Sequence, residues 1–135
     1  MKNEKYKTNN TDSNMTVISN SLHWQSSLSS DGIVEGFADV EQAIRIILST
    51  PKGNVPHRPE FGCDVLPLID GNFNDVAPLF IARATDAILA DEPRVQSLKI
   101  TAQQFGAAQS FSGALFNIAW TPIDSLIPQN MTYRV

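Results

Sequence analysis

The residues able to do covalent or metal chemistry in this 135-residue chain are few: two histidines, His23 and His57, one cysteine, Cys63, and scattered carboxylates. The spacing from His57 to Cys63 matches no zinc pattern, and a single cysteine cannot supply the paired thiolates of a structural site, so no metal is expected. A glycosidase needs only two carboxyl groups about 5 to 10 Å apart across the scissile bond. Glu60, Asp64 and Glu92 are the candidates for such a pair. Each also has a structural reading: Glu60 pairs with Arg58 or Arg94, Asp64 caps a short turn, and Glu92 bridges at a chain corner. The chain has no Gly-x-Ser-x-Gly elbow, no glycine-rich phosphate loop and no dinucleotide fingerprint. The expectation is a protein with no catalytic residue and no cofactor, with a carboxylate-pair muramidase as the alternative.

Two proline corners are more informative. His57-Arg58-Pro59-Glu60-Phe61-Gly62 and Glu92-Pro93-Arg94 each set a proline beside charges of both signs where a periodic segment stops. Such a corner holds side chains in a fixed direction outside any helix or strand, which suits docking. Arg58, Glu60, Glu92, Pro93 and Arg94 are therefore candidate partner-binding residues, with Arg94 as a partly exposed charge worth about 0 to 1 kcal/mol to the fold. The structural reading stands beside this one. Phe61 anchors its loop in the core, Gly62 supplies a positive φ, and Glu92-Pro93-Arg94 is a helix exit.

The elements that must position these corners follow from periodicity. Val40, Ile44, Ile47 and Leu48 recur at helical spacing after Asp39, which with Gln42 forms a capping box, so a helix is predicted over about 40–49. Glu41 and Arg45 stand four apart on its wet side in the favourable order, and Thr50-Pro51-Lys52-Gly53 ends it. Val65, Leu66, Leu68 and Ile69 suggest a short helical turn. A second helix begins at a cap on Asp75 with Pro78 in its first turn, buries Ile81, Ala84 and Ile88 opposite Arg83 and Asp86, and stops near Ala90 because Pro93 disfavours helix at Glu92. Thereafter the pattern alternates. Leu98, Ile100 and Ala102 share one face, as do Phe116, Ile118 and Trp120, and Met131, Tyr133 and Val135. The fold class is α+β: N-terminal helices packed on one face of a small antiparallel meander of about three strands. The last strand lies on an edge, which makes Thr132, Tyr133 and Val135 candidates for pairing with a partner's extended segment.

Composition bounds the rest. A chain with 42% hydrophobic and 18% charged residues reads as globular. Residues 1–30 form a polar, extended arm with apolar islands at Met15-Thr16-Val17-Ile18 and Leu22-His23-Trp24, and residues 31–135 form one domain. Trp24 is an arm contact and Trp120 a core residue of the sheet. The net charge of −4 argues against a nucleic-acid partner. Lys2, Lys5 and Lys7 cluster only within the arm. No run approaches the roughly 20 apolar residues of a membrane span, and the lone cysteine asks for no oxidising compartment.

From about Gly36 to Val135 the sequence resembles the baseplate assembly protein W family, the sheath initiators of contractile phage tails, with relatives in tailocins and type VI secretion baseplates. The resemblance rests on Asp39-Val40-Glu41-Gln42-Ala43-Ile44-Arg45-Ile46-Ile47-Leu48-Ser49-Thr50-Pro51-Lys52-Gly53, on Arg58-Pro59-Glu60-Phe61-Gly62, and on Glu92-Pro93-Arg94-Val95 entering a strand. It implies a structural part of a virion or tailocin baseplate, assembled in the host cytoplasm and repeated sixfold near the tail axis. The implied partners are the baseplate wedge, through Glu92, Pro93 and Arg94, and tail sheath protein, by strand exchange with the small sheet; the tail tube or hub is a further neighbour. The resemblance also implies two alternatives, since some such relatives have been labelled lysozymes and others serve type VI baseplates.

Overall fold

The computed structural model describes residues 23–68, 70–104 and 113–135. The island Met15–Ile18, most of the polar arm, Ile69 and the connection through Gly106 lie outside the described residues. The elements in order are β1 (Trp24–Ser26), β2 (Ile33–Glu35), α1 (Phe37–Ser49), a 3-10 turn (Leu66–Leu68), α2 (Phe73–Asp91), β3 (Val95–Gln103), β4 (Leu115–Pro122) and β5 (Gln129–Arg134). The class is α+β.

Val40, Ile44, Ile47 and Leu48 are the buried apolar residues of α1, in agreement with their spacing. The start of α1 differs from the expectation. Gly36 is the N-cap, with φ of 62°, and no side chain caps the helix. Asp39 lies inside the first turn and is buried, while Gln42 turns outward to the β1–β2 hairpin, donating to the Ser26 carbonyl at 2.7 Å and accepting from the Leu28 N–H at 2.9 Å. The capping box fails because both of its side chains have stronger tertiary partners. Glu41 and Arg45 do not pair either: among the described residues neither takes part in an ion pair.

The start of α2 is also earlier than expected. Its N-cap is Asn72, without a side-chain cap, so Asp75 lies in the first turn and Pro78 falls in the second. Asp75 still complements the positive end of the helix there. Val76, Ala77, Phe80, Ala84, Ala87 and Ile88 are buried, Ile81 is half-buried, and the helix ends at Asp91.

The strands β3, β4 and β5 form an antiparallel sheet in that order, with Leu98 opposite Trp120, Ile100 opposite Ile118, Phe116 opposite Tyr133 and Ile118 opposite Met131. These residues share a face and join the helix residues in one core. Phe80 lies 4.0 Å from Phe116 between ring centroids and stacks on Tyr133 at 6.3 Å, and Phe37 meets Trp120 edge-on at 6.1 Å. The hairpin β1–β2 is not legible in the sequence. Its strands are three residues long, and Trp24 is 58% exposed.

Candidate functional site

Two carboxylates at the C-terminal end of α2, Asp91 and Glu92, stand against the helix dipole, which favours cations there. Both are held by specific donors. Glu92 is 4% exposed and accepts from Arg94 Nε at 2.7 Å with one oxygen and from Arg94 Nη2 at 2.7 Å with the other. The same Glu92 accepts the Arg94 backbone N–H at 3.1 Å, closing the corner around Pro93. Arg94 Nη1 continues to the carboxylate of Asp39 on α1, itself 4% exposed. One guanidinium thus bridges two buried carboxylates, one on α1 and one at the end of α2. Its pKa is raised, chiefly by the hydrogen bond to Glu92 and then by that to Asp39, with burial opposing. Asp39 also fixes the hairpin, since its carbonyl accepts from Gln25 Nε2 at 2.8 Å.

The second corner is tied to the same helix end. Asp91 accepts the Gly62 N–H at 3.0 Å and lies 3.6 Å from Arg58, whose guanidinium stacks 4.6 Å from the centre of the Phe61 ring. Phe61 packs against the core and Gly62 has φ of 102°, as the sequence suggested. Cys63 returns to the end of α1, its N–H donating to the Thr50 carbonyl at 2.9 Å. The expected pairings of Glu60 do not form. Arg58 pairs with Asp91 and Arg94 with Glu92 and Asp39, leaving Glu60 exposed on the loop. Asp64 does not cap the turn; its carbonyl accepts from Arg83 at 2.7 Å and its carboxylate lies 3.6 Å from the same side chain. The residues that sequence reasoning missed are Asp39 and Asp91, and for Asp91 a signal exists: an acid in the last helical turn needs a cation or an amide to hold it.

Burial pushes the Cys63 thiol up to about 11, with Lys52 and Arg83 opposing. The folded state therefore holds this proton more tightly than the unfolded chain, whose ordinary value is 9.0. Its contribution to stability is fully present below pH 9 and is lost as pH rises to about 11. Burial raises Tyr133 in the same direction. Urea melts across this window should show falling stability, with a shallower fall for Cys63→Ala; identical slopes would show that the thiol does not contribute.

At the other end of the sheet, β5 has β4 on one side and no strand on the other among the described residues. The Val135 N–H donates to the Ala114 carbonyl. Because backbone groups alternate sides along an antiparallel strand, those of Asn130, Thr132 and Arg134 point away from β4. A groove of about 520 Å3 lies there, lined by Glu41 and Arg45 of α1, Asn117 of β4 and Asn130, Met131 and Thr132 of β5. Thr132 is exposed, Tyr133 is half-buried on Phe80, and Val135 is half-buried with its backbone tied to Gly113 and Ala114. The candidate residues named from the sequence thus divide into two places: Arg58, Glu60, Glu92, Pro93 and Arg94 around the end of α2, and Thr132, Tyr133 and Val135 along β5. Among the described residues no group of three or more His, Cys, Asp or Glu could hold a metal ion, and no helix is long and apolar enough to cross a membrane.

Comparison with known proteins identifies the class. The family model for baseplate wedge protein gp25 matches residues 34–119, more than half of the chain. A Geobacter sulfurreducens structure provisionally described as a tail lysozyme is 29% identical, with a TM-score of 0.61 over 70% of this chain and 85% of that one. A chain of the anti-feeding prophage baseplate, a sixfold-symmetrised reconstruction, is 20% identical with a TM-score of 0.55 over 84% and 81% of the two chains. A chain of the type VI secretion baseplate complex is 16% identical with a TM-score of 0.56 over 73% and 94%. The last two show a shared fold. No curated protein matches. The class is that of baseplate wedge proteins. Within it, the chain belongs to the baseplate wedge protein gp25 family.

Proposed function

We propose that this chain is a non-catalytic baseplate part that docks on the wedge through its proline corner and starts the tail sheath by offering β5 to an extended segment of sheath protein. The observation that carries the reading is the β5 edge, with outward backbone groups at Asn130, Thr132 and Arg134 beside an open groove. An added strand gains main-chain hydrogen bonds from such an edge without elaborate side chains. With both helices on one face of the meander, α1 walls the groove and α2 carries the corner. The corner is rigid because Arg94 joins α1 to the end of α2. Pro93 is exposed there, and the backbone of Arg94 accepts from Ile123, the start of a turn that exposes Ile123, Leu126 and Ile127. A wedge protein would meet this apolar turn together with Pro93, Arg58 and Glu60. Sixfold repetition in the particle, contact with the tube or hub, and assembly in the host cytoplasm belong to the same reading. The type VI baseplate is the equivalent setting.

Thr132→Pro tests the sheath half. The Thr132 N–H points outward, so its loss leaves the sheet's own ladder intact. The variant should fold, enter baseplates and give particles with naked tubes by electron microscopy; normal sheath on such baseplates would remove β5 from recruitment and turn attention to β3, the other edge.

The muramidase alternative has little support in the geometry. Glu92 is buried and has both oxygens on Arg94, which withdraws it from a catalytic pair with Glu60 or Asp64 across a glycosidic bond. Purified protein should clear no peptidoglycan between about pH 4 and 8, the range in which a carboxylate pair holds one proton. Clearing that Glu60→Gln abolishes in a folded protein would overturn the non-catalytic reading.

A further inference from the structure

Glu41 and Arg45 carry opposite charges four residues apart on α1, and no hydrogen bond or ion pair engages either side chain among the described residues. Both line the groove beside β5, facing Asn130, Met131 and Thr132. Four helical residues advance about 6 Å, and two strand residues about 6.7 Å. The separation of the two charges along α1 therefore matches that of positions i and i+2 on an extended chain, which point to the same side. A strand added to β5 would lie about 4.8 Å from it, within this groove, with alternate side chains turned toward α1.

We propose that Glu41 and Arg45 are specificity residues that read a basic and an acidic side chain at positions i and i+2 of the extended segment pairing with β5. This inference rests on the reading of β5 as an acceptor edge and adds to it what the incoming segment must carry. Backbone pairing gives affinity to any extended chain. The two charges select sequence and register, because a one-residue slip turns the charged pair to the opposite face of the sheet.

The test is a selection on the immobilised full chain from a displayed library of nine-residue peptides, with alternate positions randomised and the intervening ones threonine or valine. Amide shifts of Asn130, Thr132 and Arg134 report whether bound peptides occupy β5. One order of basic and acidic residues at i and i+2 should be enriched about three- to tenfold over the reverse, the range two exposed ion pairs supply. In Glu41→Arg/Arg45→Glu, which alters two surface side chains, the preferred order should invert. If peptides shift the β5 amides but both proteins choose the same sequences, the proposal is overturned while the acceptor edge stands. If no peptide shifts those amides, the acceptor reading falls and the proposal with it. A concentration-dependent dimer that shifts them without peptide would also overturn it, by making a second copy of this chain the occupant.

Discussion

Arg94→Ala should cost about 3–5 kcal/mol of folding stability, the range for removing one partner of a buried ion pair. The sequence alone suggests about 0 to 1 kcal/mol for the same change, the value of an exposed charge. The difference lies in surroundings. The Arg94 side chain is 25% exposed, but the Asp39 and Glu92 side chains it holds are each 5% exposed, and its loss leaves two like charges buried together. Ordinary domains have only about 5–15 kcal/mol in total, so the variant should melt at much lower urea and be prone to proteolysis. Replacing all three residues, as Asp39→Leu, Glu92→Leu and Arg94→Met, should recover most of the loss, because the desolvation of the charges goes with them. A single alanine variant that unfolds within about 1 kcal/mol of the parent would show that the triad is not a structural lock.

Gly62→Ala should be nearly as damaging. At φ of 102° an L-residue is strained, and an added Cβ would lie 2.1 Å from the Thr50 carbonyl oxygen, a backbone atom that accepts the Cys63 N–H. Relief requires the loop to leave α1, which also breaks the Gly62 bond to Asp91. The expected loss is about 3 kcal/mol or more, combining left-handed strain with a packing clash. Gly53 provides the control. Its φ is 84°, yet nothing lies within 4 Å of an added Cβ, so Gly53→Ala should cost only the conformational part, about 1–2 kcal/mol. Equal urea midpoints for the two variants would contradict the close approach at Gly62.

What the sequence disclosed and what it concealed divide along physical lines. Val40, Ile44, Ile47 and Leu48, and the alternation through Phe116, Ile118 and Trp120, are legible because burial imposes a period on one local segment. Interactions between distant segments leave no such trace. Asp39 reads locally as a helix cap, and only folding brings it to Arg94, 55 positions away. Gln42 likewise looks like half of a capping box until the hairpin supplies Ser26 and Leu28. The hairpin itself is hidden because strands of three residues show too little alternation to detect. At the candidate site, the proline corners are visible as positions, but their polarity is not: Glu92 and Arg94 bind each other and Arg94 also binds Asp39 of α1, while Pro93 and Glu60 stay exposed.

Whether β5 of this baseplate component accepts a strand from the sheath is decided most directly by an image reconstruction of the intact contractile particle that contains the chain, at a resolution that traces the backbone. The expected result is the chain at the junction of baseplate and first sheath ring, with density for an extended sheath segment paired along Asn130, Thr132 and Arg134. A chain seated at that junction with this edge bare, or found elsewhere in the particle, would contradict it.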